Sequence, residues 1–403
     1  MMTAKAFEGL KVADFSWYAL GPLNAKFLGD HGATVIRIES STRLDNLRIV
    51  GPFKDGVFGV NRSGYFNDFN SSKYGMTLDI TKPKGIEVAK KLAAWADIVI
   101  ENFTPGTFQK WGLGYAELKK INPGVIMLSA STQGQYGPYA LTPAYGHVAQ
   151  AIAGLNHLTG WPDGEPVGPY GPYTDFFSPG VLSTVLVAAL DYRRRTGKGQ
   201  YIDATSVETT IHALETAILD YTANGRIQSR MGNRIPRAAP HGAFPCQGED
   251  RWCAIAVFTD EEWADFCKAV GEPWTEDVRF STLVGRKQNE DELEGLIGNW
   301  TMNYSAEEVM VTLQHAGVAA GVVQNAKDLH EDAQLKHRRH FWHLDHADCG
   351  PVAFSGPPMR FSKTACELRP APLLGQHNEY VLKEFLGLSD DEIAEVVIAG
   401  VLQ

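Results

Sequence analysis

Cysteine is scarce, with five residues, Cys246, Cys253, Cys267, Cys349 and Cys366, in a chain of 403. They are odd in number and form no CxxC pair, which argues against both a disulfide framework and a thiolate metal site. No long hydrophobic run is present either. The longest nearly apolar stretch, Val181 to Leu190, contains Ser183 and Thr184 and is about half of what a bilayer span requires. The opening residues hold no apolar segment and carry Glu8 where a secretory signal would tolerate no acid. A cytoplasmic protein with no membrane association is therefore expected. Positive charge is in deficit, 37 Lys and Arg against 47 Asp and Glu for a net charge of −10. No general field draws such a chain onto a nucleic-acid backbone, although a local basic cleft is compatible with it.

Several signatures of common chemistries are missing as well. Gly197-Lys198-Gly199-Gln200 superficially resembles a phosphate loop, but Walker A needs GxxxxGK, then Ser or Thr and a helix, and here the strand-like Tyr201-Ile202-Asp203 follows. Gly112-Leu113-Gly114 has no third glycine in register, so no strand leads into GxGxxG and a dinucleotide cofactor is not expected. HExxH and GxSxG do not occur, which removes the local marks of zinc proteolysis and α/β-hydrolase chemistry. His337, His340, His343 and His346 recur at every third residue. That spacing drifts around a helix and alternates faces on a strand, so they read as surface histidines and no metal site is expected.

What the chain does have is apolar material, 44% of residues with 10% aromatic, over a length that allows two or three domains at about 150 residues each. Its opening hundred residues alternate short β-rich runs with helix-length segments. Leu10 to Phe15 reads as a strand, Pro22 to His31 as a helix ended at Gly32, and Thr34 to Glu39 as a second strand. A helix opening near Pro83, with Thr81 as possible N-cap, precedes the strand Asp97 to Ile100. A helix over Tyr115 to Lys120 precedes the strand Val125 to Leu128. Strand and helix repeating in this order predict an α/β fold with a parallel sheet covered on both faces. Ligands of such sheets gather beyond the strand C-termini, so the turns after Phe15, Glu39, Ile100 and Leu128 are where a site is expected.

From Ala140 to Pro179 the composition shifts to Gly, Pro and aromatics, in the manner of a binding or catalytic loop. A buried helix, Gly180 to Arg193, is predicted next, and the Gly/Pro/Arg-rich passage Gly225 to Pro245 reads as a linker. Ser389 to Glu392 forms a capping box for a last short helix. Asp175 lies between the loop and the predicted helix, among Tyr173, Phe176 and Phe177. Aromatic surroundings strip a carboxylate of hydration, raising its pKa and making the ionised form more reactive. A helix cap is the ordinary reading of an aspartate so placed.

Taken together, the motifs resemble the class III CoA-transferases, the family of formyl-CoA transferase and carnitine CoA-transferase. They include Val12 to Ser16, Gly21-Pro22, Gly29 to Glu39, Asn70 to Lys73, Leu78-Asp79 and Ala96 to Gly106. Gly112 to Tyr115, Gly134 to Tyr139, Arg195 to Gln200 and Leu374 to His377 complete the set, in order and over nearly the whole chain. The resemblance implies that Asp175 is the catalytic nucleophile. It attacks a donor acyl-CoA thioester to form a mixed anhydride, passes through an aspartyl-CoA thioester, and delivers CoA to an acceptor acid. Thioester is exchanged for thioester, so the substrates are an acyl-CoA and a small carboxylic acid and no permanently bound cofactor is implied. The family's CoA site maps onto Ala19, Leu20, Leu78, Asp79, Ile80, Thr81, Asn102, Phe103, Thr104 and Lys110.

Three positions depart from the family pattern. Ser40 and Thr81 replace residues that are often basic, with Arg43 or Lys82 close enough in sequence to compensate. Gly146 replaces a common acidic residue, an absence expected to ease the entry of an anionic or bulky acceptor. With Gly160 to Pro162 and Tyr173 to Asp175, Gly146 resembles the branch that moves CoA from succinyl-CoA to aromatic succinates such as benzylsuccinate. The family fold is a Rossmann-like large domain and a smaller α/β domain, with two chains interlocked. The large domain is then expected over residues 1–225 and 330–403, and the linker and small domain over 226–329. A homodimer, or a hetero-oligomer with a paralogue, is implied. One alternative is an α-methylacyl-CoA racemase, which needs a histidine where Tyr145 stands; His147 is nearby, but a helix would turn it away. The other is a non-catalytic subunit that binds CoA esters, against which the presence of Asp175 argues.

Overall fold

The computed structural model describes residues 5–402; residues 1–4 and 403, inside the expected large domain, lie outside the described residues. Six parallel strands form the main sheet: β1 (Lys11–Asp14), β2 (Thr34–Glu39), β3 (Lys73–Thr77), β4 (Ile98–Glu101), β5 (Ile126–Ser131) and β6 (Tyr201–Thr205). Their order is 3-2-1-4-5-6, so the chain winds outward from β1 in both directions and the switch point falls between β1 and β4. Both faces are apolar because both are covered. One packs Ile36, Ile38, Val99 and Met127 against the helix Pro83–Trp95, and the other packs Val35, Ile98, Ile126 and Leu128 against the helices Leu20–Asp30 and Tyr173–Thr196.

The chain divides into two compact units. One runs through Leu155, resumes over Gly168–Ala223, and takes up the chain again from Gln334. Within it the C-terminal stretch returns to the sheet. Val381, Leu382, Val396 and Val401 enter the same core as β2 and β3, and the Val401 carbonyl accepts from the Asp79 N–H at 2.7 Å. Strands β10 (Phe341–His346) and β11 (Gly350–Ser355) add an antiparallel hairpin. The second unit, Asn156–Val167 with Asn224–Ala333, holds an antiparallel sheet of β7 (His241–Pro245), β8 (Trp252–Ala256) and β9 (Ala319–Val322). Its core is built on Trp263, Phe266, Phe280, Ile297 and Leu313.

Four local expectations are corrected. The segment Asn156–Val167 belongs to the second unit, not the large domain. There the Gly232 N–H reaches the Gly160 carbonyl at 2.9 Å and Arg230 reaches the His157 carbonyl at 3.2 Å. The long helix starts at Tyr173 rather than Gly180, with Pro179 inside it. It is buried along Leu182, Leu186 and Ala189 but exposes Val181, Val185 and Val187, so it is not buried all round. At 24 residues it is long and apolar enough to cross a bilayer by length and composition, which the stretch Val181 to Leu190 alone is not; 39% of its most apolar window is buried in the protein. Thr81 is no N-cap, since its hydroxyl bonds Asp79 at 2.6 Å and Pro83 opens the next helix after Lys82. Finally, His346 is buried at the end of β10, where its Nδ1 accepts from the N–H groups of Asp348 and Cys349.

Candidate active site

A cavity of about 780 Å³ lies beyond the C-terminal ends of the main-sheet strands. Phe15, Trp17 and Tyr18 enter it after β1, Ser40, Thr42 and Arg43 after β2, Leu78 to Thr81 after β3, Asn102 to Pro105 after β4, Ser131 and Thr132 at the end of β5, and Ser206 after β6. The turns at the switch point are tied to each other. Asn102 accepts from the Trp17 N–H and donates to the Trp17 carbonyl, both at 2.7 Å. Behind Trp17, Tyr18 holds a left-handed φ of 60°, a costly conformation for a tyrosine. It is secured by Asp45, which accepts from the Tyr18 N–H at 3.2 and 3.3 Å while paired at 2.5 Å with the fully buried Arg37.

Asp175 sits in the first turn of the helix Tyr173–Thr196 and lines the same cavity. That turn is locked onto the helix Gly146–Ile152. The Tyr173 N–H donates to Gln150 Oε1 at 3.1 Å, and the buried Thr174 hydroxyl reaches the Gly146 carbonyl at 3.2 Å. Pro179, four residues on, has no N–H to offer the Asp175 carbonyl. No cation pairs with the Asp175 carboxylate among the described residues, and its one hydrogen-bond donor is the Thr174 hydroxyl at 3.4 Å. Burial therefore dominates and pushes the Asp175 carboxyl up to about 6, with the Thr174 hydroxyl acting weakly the other way. At neutral pH it is ionised, desolvated and unpaired, which is the state a carboxylate nucleophile needs.

Gly146 has a physical reason of its own. A β-carbon there would lie 2.3 Å from Pro172 Cβ and 2.9 Å from Asp175 Cγ and Oδ2. The glycine opens no extra room for an acceptor, because that space is taken by Pro172 and by the carboxylate it seats. Glu101, at the end of β4, accepts from the Phe103 N–H at 2.9 Å and holds the following turn from behind. Burial pushes its carboxyl up to about 7.

Of the residues expected to bind CoA, the structure brings Leu20, Leu78, Asp79, Ile80, Thr81, Asn102, Phe103 and Thr104 to the cavity with Asp175. Two are corrected. Ala19 is packed beneath the site with Leu47, Phe66 and Phe69. Lys110 is exposed at the end of the short helix Thr107–Lys110 and is not among the residues that line the cavity, while Thr107 and Trp111 on the same turn are. Sequence reasoning missed Tyr18, Asn46, Tyr145, Ser131 and Ser206, and misplaced His147. The helix begins only at Gly146, so both Tyr145 and His147 reach the cavity from its first turn instead of being separated by it. For Tyr18, Ser131 and Ser206 the signal available was their position at or just after strand ends, whereas Asn46, in a short turn further on, and Tyr145 and His147, at the start of the helix Gly146–Ile152, gave no such signal. Ser131 Oγ is buried without a hydrogen-bond partner among the described residues.

Residues 7–378 match CoA-transferase family III, and the chain belongs to that family. It is a CoA-transferase of this class, with CoA thioesters as substrates. The succinyl-CoA–D-citramalate CoA-transferase of Chloroflexus aurantiacus is 31% identical over 97% of this chain and 96% of its own. The succinyl-CoA:glutarate CoA-transferase of Mus musculus is 31% identical over 99% of this chain and 91% of its own. The crystal structure of a CAIB/BAIF family protein from Brucella suis superposes with a TM-score of 0.87 at 31% identity, over 95% of this chain and all of the other.

Proposed function

We propose that the protein moves CoA from succinyl-CoA to a second carboxylic acid through Asp175. The observation that carries this is the desolvated, unpaired Asp175 carboxylate in the same cavity as the strand-end turns. Asp175 attacks the donor thioester carbonyl, the C–S bond breaks, and a mixed anhydride and CoA thiolate result. The thiolate attacks the aspartyl carbonyl, releasing succinate and leaving an aspartyl-CoA thioester. The acceptor carboxylate attacks that thioester, giving a second anhydride and CoA thiolate once more. Thiolate attack on the acceptor carbonyl then yields the new acyl-CoA and restores Asp175. Each intermediate hydrolyses readily, so the work of the site is to exclude water and stabilise the oxyanions. The aromatic walls from Trp17, Tyr18, Phe103, Trp111 and Tyr145 serve the first need, and the unpartnered Ser131 hydroxyl is suited to the second.

The same walls favour a bulky or aromatic dicarboxylic acceptor such as an aryl succinate. Two relatives whose names pair succinyl-CoA with a dicarboxylic acid support the donor and the acceptor class. A second copy of the chain is the natural cover for the exposed apolar side of the helix Tyr173–Thr196, in the interlocked dimer that the family resemblance implies. The test is incubation with succinyl-CoA and a panel of free acids, with new CoA esters read by mass spectrometry. New esters of dicarboxylic acids are expected, and succinyl-CoA left intact with every acid would refute the reading. One observation favours a second reading. Because His147 shares the cavity with Asp175, α-proton abstraction is geometrically open. Incorporation of solvent deuterium at the α-carbon without CoA transfer would establish it instead.

A further inference from the structure

We propose that His147 binds the free carboxylate of the acyl group, in donor and acceptor alike, and so sets a preference for dicarboxylic substrates. The inference rests on the CoA-transfer reading and deepens it. In that reaction both acyl groups pass through one place, because first the donor carbonyl and then the acceptor carbonyl is joined to Asp175. The second carboxylate of a succinyl chain lies only two methylenes beyond that carbonyl. One subsite on the elements that seat Asp175 therefore serves both halves of the reaction.

A second carboxylate brought there needs an answer. The chain carries a net charge of −10, and no cation stands beside the Asp175 carboxylate among the described residues. Two like charges in a desolvated pocket repel unless a donor meets the incoming one. Among the residues lining the cavity, only Arg43 and His147 can carry positive charge. Arg43 follows β2, with its guanidinium over the Trp17 ring at 5.4 Å, on the part of the wall tied together by Asn102. His147 belongs to the helix packed on the nucleophile.

That helix, Gly146–Ile152, is fastened to the turn of Asp175 at both of its own ends, through Gln150 to the Tyr173 N–H and through the Gly146 carbonyl to the Thr174 hydroxyl. The residue before His147 is so close to the nucleophile that a β-carbon on Gly146 would lie 2.9 Å from Asp175 Oδ2. Tyr145 on the other side packs on Tyr18 at 5.5 Å and supplies apolar wall. The His147 imidazole is exposed, lines the cavity, and has no hydrogen-bond or ion-pair partner among the described residues. A ring N–H donates to a carboxylate oxygen whether the ring is neutral or protonated, and more strongly when it is protonated.

The test measures kcat/KM for succinyl-CoA against butyryl-CoA, which has a methyl group in place of the free carboxylate, and for glutarate against pentanoate, matched in the same way. In His147→Leu the preference for succinyl-CoA should fall about tenfold, and the preference for glutarate by a similar factor. His147→Gln, which keeps an N–H donor, should retain at least half of each preference. A merely misfolded variant lowers both members of a pair alike and leaves the ratios where they were. Ratios in His147→Leu within twofold of the unsubstituted protein, a fall in one pair alone, or ratios as low in His147→Gln as in His147→Leu would overturn the assignment of His147 and leave the CoA-transfer reading standing. So would the absence of either preference in the unsubstituted protein. Failure of the unsubstituted protein to move CoA from succinyl-CoA to any acid would overturn that reading and this proposal with it.

Discussion

The chemistry assigned to Asp175 is set against the stability of the fold that holds it. A carboxyl with a pKa of about 6 rather than an ordinary 3.8 represents roughly 3 kcal/mol at about 1.4 kcal/mol per pH unit, and partial exposure cuts that to about 1 to 2. The native state keeps its proton to higher pH than the unfolded chain does. This group's penalty is thus absent below about pH 4, grows between about 4 and 6, and is complete above that. Asp175→Asn is accordingly expected to lower kcat at least about 10³-fold while raising unfolding free energy by about 1 kcal/mol at pH 8, as denaturant titration would show. The rate of the unsubstituted enzyme, as kcat/KM, should rise through about pH 6 and level off. Glu101→Gln should leave that rising limb in place, since Glu101 holds a turn and the proposed nucleophile is Asp175. Gly146→Ala drives a β-carbon into the carboxylate and Pro172. A fall of about 10²-fold in kcat and a stability loss of about 1 to 3 kcal/mol are expected from stopped assays and thermal melts.

At the scale of elements, the turns after β1 and β4 form one unit through the paired bonds of Asn102 and Trp17. Asn102→Ala strands two backbone groups and should raise the KM for succinyl-CoA more than it lowers kcat, at about 1 to 3 kcal/mol of stability. Much of this architecture was legible in the chain. The strands β1, β2, β4 and β5 announce themselves as apolar runs, and the βα alternation places ligands at their C-terminal ends before any coordinate is seen. Strand β3 was not legible. Lys73 is buried against Asp14 at 2.9 Å, and Gly75 is required because a β-carbon would meet Pro372 Cβ at 2.8 Å, so neither shows strand character in sequence. The start of the long helix was hidden too, because Pro179 reads as a boundary when it is an interior residue. Asp175 was legible as a carboxylate among aromatics, but its role came from the family resemblance. Its setting against Gly146, and the tyrosines and His147 beside it, depend on contacts between segments far apart in sequence.

For the whole molecule, the C-terminal stretch completes the large unit by packing on β2 and β3, so the cavity-lining turn after β3 is braced by residues more than 300 positions away, as the Asp79 to Val401 bond shows. The exposed valines of the long helix, Val181, Val185 and Val187, with Leu219 and Tyr221 further on, form the surface expected to meet a second copy. Light scattering should give twice the chain mass, and Val185→Glu with Leu219→Glu should shift the protein to monomer or aggregate. A monomer before substitution would remove the dimer from the account while leaving the chemistry of the single cavity standing. That chemistry is tested most directly by trapping. The protein is incubated with succinyl-CoA, quenched with hydroxylamine, digested and sequenced by mass spectrometry. The account predicts a hydroxamate on Asp175 and on no other carboxylate, absent when succinyl-CoA is left out. An unmodified Asp175 during active turnover, or a hydroxamate on a different acid, would contradict it.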